Sequence, residues 1–328
     1  MKSFKLPLTV VAIVFLFVVF GFLMTRNVKN QDTIVKENID ITKEAHHDSN
    51  IVNSTEKDPD DEPLWRWDDS IWEHFNPEQI DFSKEYLELV SKKRKNVISQ
   101  FIGYDFSSVW LSSGESRNGV LGQNYQRIQI HFSKITRSLT DSTVYLVEGK
   151  SKVNNNICNF KGEIKPIRLF FGKCEGYDED YASIDSTSKC GILKAEYTFY
   201  EDSTKNHSGI FTGVAASYVL VDSIKKTVSL DQTLGYMDGY NNNTFVGIWT
   251  NYKTKQSKKC IWGDYRLPFT RDFDCGAGEM EICDKYVKNG WQTFNLESIE
   301  INGVYKAISK EHIEVNGKWE LKDKWWKK

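Results

Sequence analysis

The sequence predicts a mainly β protein, an antiparallel β-barrel or a β-sandwich, preceded by one transmembrane helix and one short amphipathic helix. Three observations carry this. Apolar and polar residues alternate over successive stretches of the C-terminal two-thirds, two Asn-Gly pairs separate alternating runs near the end, and no regular exchange of strand with helix builds a parallel sheet.

A chain of 328 residues accommodates one all-β domain plus an anchor. Residues 1–26 form the anchor. Leu6 to Met24 is an uncharged apolar run of 19 residues, with Lys2 and Lys5 before it and Arg26 and Lys29 after it. At about 1.5 Å per residue, such a helix approaches the roughly 30 Å hydrocarbon layer of a bilayer. The run exceeds the apolar core of a secretory signal and ends in Gly21, Phe22, Leu23 and Met24, so it predicts an uncleaved signal anchor whose partner is the membrane. The flanking positive charges are nearly balanced and do not set its orientation.

Residues 27–63 are polar and end in the acidic run Asp58 to Pro63; they bury too little apolar surface to order and predict a tether. Residues 64–96 bring Trp65, Trp67 and Trp72 together ahead of a helix in which Phe82, Tyr86, Leu89 and Val90 share one face, opposite the basic run Lys92 to Lys95.

Residues 97–328 carry the β pattern. In YQRIQIHF, Ile128, Ile130 and Phe132 alternate with Arg127, Gln129 and His131, which marks a half-buried strand. Further strands are expected at Thr143 to Val153, Ile157 to Phe171, Gly191 to Glu201, Gly209 to Val221 and Thr244 to Tyr252. Asn302-Gly303 and Asn316-Gly317 supply the residues of type I′ turns and predict two terminal hairpins.

Six cysteines, Cys158, Cys174, Cys190, Cys260, Cys275 and Cys283, all lie in this part of the chain. An even number behind an export signal predicts disulfides and a body on the extracytoplasmic side, periplasmic or at the cell surface. Cys174 and Cys190 flank an acidic loop, and Cys260 is expected to pair with Cys275 or Cys283. A net charge of −2 excludes a globally basic surface, so nucleic acid is not an expected partner.

The succession FIGYDFSSVWL, TVYLVEGKSKV, NNICNFKGEI, FVGIWTNY and SKKCIWGDYRLP resembles a family of uncharacterised bacterial envelope proteins with lipocalin-like, calycin-type barrels. The resemblance spans roughly Phe101 to Phe294 and implies a fold and a location, with no activity attached. Gly103-Tyr104-Asp105 stands where the Gly-x-Trp motif of a first calycin strand belongs, and the close match, Gly247-Ile248-Trp249, lies far downstream.

The densest chemistry lies in KKCIWGDYRLPFTRDFDCGAGE, Lys258 to Glu279, expected as an irregular loop stapled by a disulfide. Asp272, Asp274 and Glu279 form a partial calcium set, but Gly276 and Ala277 occupy the positions where an EF-hand places an acid and its glycine. No Cys-x-x-Cys or His-x-x-x-His spacing occurs, so no zinc site and no cofactor are expected, and no catalytic residue is assigned. The candidate ligand set is Trp249, Trp262, Asp264, Tyr265 and Arg266, aromatics and charges able to stack on a sugar or line an apolar pocket. The expected function is non-enzymatic binding of a small apolar or glycan ligand. The alternatives are an envelope structural or protein-interaction module with a filled barrel, then a hydrolase using the acids between Cys260 and Cys283.

Overall fold

The computed structural model describes residues 94–111, 116–172, 174, 188–235, 237–301, 304–315 and 318–327. The anchor Leu6 to Met24, the tether and the amphipathic helix expected before Arg94 lie outside the described residues. Among the described residues, no helix is long and apolar enough to cross a membrane.

Nine strands form the main sheet: β1 (Arg117–Leu121), β2 (Gln126–Arg137), β3 (Tyr145–Val153), β4 (Asn156–Phe171), β5 (Ser188–Glu201), β6 (Gly209–Asp222), β7 (Thr227–Leu230), β8 (Asn241–Asn251) and β9 (Ser257–Tyr265). All neighbours are antiparallel, in the order β5-β4-β3-β2-β1-β9-β8-β6-β7, and β5 also pairs with β6. The ring therefore closes on eight strands, and the sandwich alternative is set aside. Closure leaves no open edge on these strands, the usual solution for an antiparallel sheet. β7 is a short flap that takes over the edge of β6 beyond Ala216, where β8 diverges. The Asn242 side chain fills the gap: its Oδ1 accepts from Tyr218 N at 2.8 Å and its Nδ2 donates to Asp231 O at 2.8 Å.

The predicted alternation holds on β2, where Ile128, Ile130 and Phe132 point into the barrel. The terminal hairpins form as expected, β10 (Leu296–Ile301) with β11 (Val304–Ser309) and β12 (His312–Val315) with β13 (Lys318–Leu321). Two expectations fail. FIGYDFSSVWL, which the resemblance sets where a first calycin strand belongs, carries two short helices, α1 (Ile98–Phe101) and α2 (Ser107–Leu111), the second burying Val109 and Trp110. The first half of Lys258–Glu279 is no loop: it is β9, the strand that joins β1 to β8.

Aromatic rings fill the centre of the barrel. Phe245 stacks on Trp262 with centroids 5.2 Å apart, and Tyr197 meets both at 5.3 Å. The hydroxyl of Tyr197 fits because Gly213 and Gly247 face it; a Cβ on either would stand 2.8 or 2.7 Å from that oxygen. α2 closes one end, tied by Phe106 N to Tyr145 OH at 3.0 Å and by Arg117 Nη2 to Trp110 O at 2.9 Å.

A second core lies outside the barrel wall. Leu267, Phe269, Phe273, Met280, Ile282 and Trp291 cover the outward residues Val120, Val214, Val246 and Ile261. Arg127 then links this cover to the chain before the last hairpin, lying over Trp291 and pairing with Glu311 at 2.6 Å. Near the C-terminus, Trp325 is buried and Trp326 stacks on His131 at 4.7 Å.

Cys174 pairs with Cys190 and Cys275 with Cys283, at Cα separations of 5.3 and 5.2 Å. The expected partnership of Cys260 with Cys275 or Cys283 is therefore corrected. Cys260 points inward from β9 and is a free buried thiol, as is Cys158 on β4. An even count did not mean full pairing, because two of the six thiols serve as small apolar filling in the barrel.

Candidate functional site

The end of the barrel opposite α2 is an open cup of about 350 Å³. Leu121, Ile128, Val153, Phe211 and Trp249 give it apolar walls, and Gln126, Asn154, Asn155, Asn156, His207 and Lys258 lie on its polar side. Ser151 and Glu201 complete the lining. The volume sits at the lower end of the roughly 300–1,000 Å³ range of small-molecule sites.

Strand ends and tight turns position these groups. Val153 and Asn156 are partners across a two-residue turn, and Asn154 takes a φ of 52°, a conformation asparagine adopts more readily than most residues. Between β8 and β9, the Asn251 side chain accepts from Lys253 N and Thr254 N, both at 2.9 Å. Between β5 and β6, Asp202 Oδ1 accepts from Thr204 N at 3.0 Å and from its hydroxyl at 2.7 Å. The rim is thus built from turns stapled by their own side chains.

Glu201 ends β5 in the inward register of Tyr197 and Phe199 and is only 6% exposed. Its Oε1 accepts from Ser151 Oγ, and its Oε2 accepts from Gly209 N at 2.8 Å and Trp249 Nε1 at 2.9 Å. Burial pushes its carboxyl above the ordinary glutamate range despite these three donors. The carboxyl therefore ties β5 to three other strands and fixes the Trp249 indole at the wall. Burial, with Glu201 adding to it, also raises the nearby Cys158 thiol to about 11, so it stays protonated and unreactive near neutral pH.

Of the five residues proposed from sequence, Trp249 alone lines the cup. Trp262 is fully buried in the aromatic filling. Asp264 lies at the α2 end, pairing with Arg117 at 2.8 Å and accepting from Asn243 Nδ2 at 3.0 Å. Tyr265 donates to Glu279, and Arg266 pairs with Asp274 and donates to Gly278 O, all within the outer cover. The structure does not gather these five at the cup.

The partial calcium set is likewise committed elsewhere. Asp272 takes Lys285 and the Tyr286 hydroxyl, while Asp274 Oδ1 accepts from Gly276 N and Glu281 N, both at 3.0 Å. Among the described residues, no group of three or more His, Cys, Asp or Glu is placed to hold a metal ion.

Glu201, Ser151, the Asn154–Asn156 turn and Lys258 were not singled out from sequence. The available signal was parity: Tyr197, Phe199 and Glu201 occupy alternate positions, so an acid continues a buried aromatic face. Compared with family models, with curated proteins and with solved structures, the chain matches none.

Proposed function

We propose that this protein binds a small ligand in the open cup of its barrel, without chemical conversion, from an extracytoplasmic position behind the Leu6 to Met24 anchor. The observation that supports it is the cup itself: about 350 Å³ of space remains beside Trp249 and Glu201 in a barrel whose centre is otherwise packed with rings. The carboxyl at its floor is occupied by three donors, which suits a fixed wall better than a group that must exchange protons with a substrate. The apolar run and the two disulfides support the location.

The filled centre favours a second reading, a structural or interaction module whose barrel is only a scaffold. Native mass spectrometry of the full-length protein isolated from its own membranes separates the two. A stoichiometric adduct in the wild type that is absent from Val153→Trp, whose indole would occupy the cup, is the expected result. An adduct that persists in Val153→Trp, or none in either, favours the scaffold reading.

A further inference from the structure

Resting on the reading of the cup as a binding site, we propose that its ligand is a small amphipathic organic anion, held with its apolar body against Phe211 and Trp249 and its charged head at Lys258. Lys258 lies on β9 two residues before inward-facing Cys260 and opposite Trp249, so its register directs it over the cup. Its stem runs beside Gly122, whose φ of 73° suits glycine, and its ammonium is exposed at the rim.

The surrounding charge has one dominant sign. The turns of this barrel end carry Lys205, Lys253 and Lys255 against a single acid, Asp202. Lys253 Nζ donates to a neutral oxygen, Asn206 Oδ1, at 3.0 Å. The Asp202 carboxyl is held below its usual range by the Thr204 side-chain and backbone donors, and its Oδ1 is engaged by both. Clustered ammonium groups at the mouth of a low-dielectric cavity raise the local concentration of anions. Glu201 is the one acid in the lining of the cup, with its oxygens held by Ser151, Gly209 N and Trp249 rather than by any of these lysines, so the head of the ligand is placed at Lys258 and away from it. A neutral polyhydroxylated ligand would find partners on the polar side at Gln126 and Asn154 to Asn156, but it would leave the walls formed by Leu121, Ile128, Val153 and Phe211 without an apolar partner, and the Trp249 donor is already taken by Glu201.

Phenylbutanoate and its neutral counterpart phenylbutanamide share one apolar body and differ in head charge, so their comparison isolates the lysine contribution. Equilibrium dialysis against full-length protein in lipid nanodiscs, with Val153→Trp nanodiscs as the blank, reads both affinities. The wild type is expected to prefer the anion by about ten-fold, the size of one charge-assisted contact. Lys258→Gln is expected to bring the two probes to parity, and because Lys258 is exposed this variant keeps its fold. Equal binding of acid and amide by the wild type, or a preference that survives Lys258→Gln, overturns the anion inference while leaving the cup as a site. Failure of both probes to bind above the Val153→Trp blank overturns the site as well.

Discussion

Glu201 shows how one buried acid can be a structural part that titrates. Removing its side chain strands Ser151 Oγ, Gly209 N and Trp249 Nε1, so Glu201→Ala is expected to lose about 2–4 kcal/mol in urea unfolding. Glu201→Gln keeps an acceptor for Gly209 N and Trp249 Nε1 and can donate to the Ser151 hydroxyl, so its loss should stay near about 1 kcal/mol. The pH dependence has a definite sign. The folded carboxyl binds its proton more tightly than the unfolded one, so stability falls as pH rises from the ordinary glutamate value through the higher folded value, then levels. Carboxylates lowered by hydrogen bonds, such as Asp202 and Asp222, lose stability instead as pH falls below the ordinary aspartate range, so the two windows do not overlap. Unfolding curves for wild type and Glu201→Gln should therefore diverge as pH is lowered towards the glutamate value, the wild type gaining; parallel curves would refute the assignment. None of this was legible from composition, because Glu201 is one of 45 acids. The position of Trp249 on the cup wall was legible, for an aromatic in the inward register of a predicted strand is visible without knowing what it faces.

At the scale of elements, legibility followed local pattern strength. β2 through β6 and β8 are long runs with apolar residues on one parity, and their positions were readable. β9 was missed because inward Cys260 and Trp262 and outward Ile261 are all apolar, so no alternation shows, and β1 because Gly119 faces inward with no side chain, since a Cβ there would meet Trp262 Cβ at 2.5 Å. A strand whose inward residue is absent shows no alternation. α2 stood near a first strand's place only through the family resemblance, while the spacing of three and four between Phe106, Val109 and Trp110 is helical. Cysteine pairing was legible for Cys174 with Cys190 and not for the rest, because sequence distance could not reveal that Cys260 faces the barrel interior. Two consequences can be measured. Alkylation without reductant should label no thiol in the native protein and two after denaturation, Cys158 and Cys260; four or six labelled thiols would contradict the pairing. Replacing Cys275 and Cys283 by serine opens an eight-residue separation, which corresponds to about 2.5 kcal/mol by loop entropy. Hydrogen exchange should then quicken first in the outer cover around Phe273 and Ile282, before the barrel strands.

Considered whole, the molecule divides its interior into two zones with different tasks. The centre is close-packed rings and serves stability; the cup is the space those rings leave, which the proposed function assigns to binding. An antiparallel barrel was legible as a class, but this division was not, since it depends on which inward positions are glycine and which are aromatic at the same level of the barrel. Tyr197 tests it. Its hydroxyl is wholly buried in the centre with no hydrogen-bonding partner among the described residues, and burial drives its pKa far above the ordinary tyrosine range. A buried donor without a partner costs about 1–3 kcal/mol, so Tyr197→Phe should leave stability unchanged or raise it by about 1 kcal/mol once the lost contacts of the oxygen with Gly213 and Gly247 are set against that gain. Because Tyr197 does not line the cup, the same variant should bind phenylbutanoate as the wild type does. Val153→Trp should do the reverse, abolishing binding with little change in the unfolding midpoint, since Val153 is only partly buried at the lip. If Tyr197→Phe instead weakened binding, the two zones would be one, and the filled barrel would be transmitting strain from its centre to its mouth.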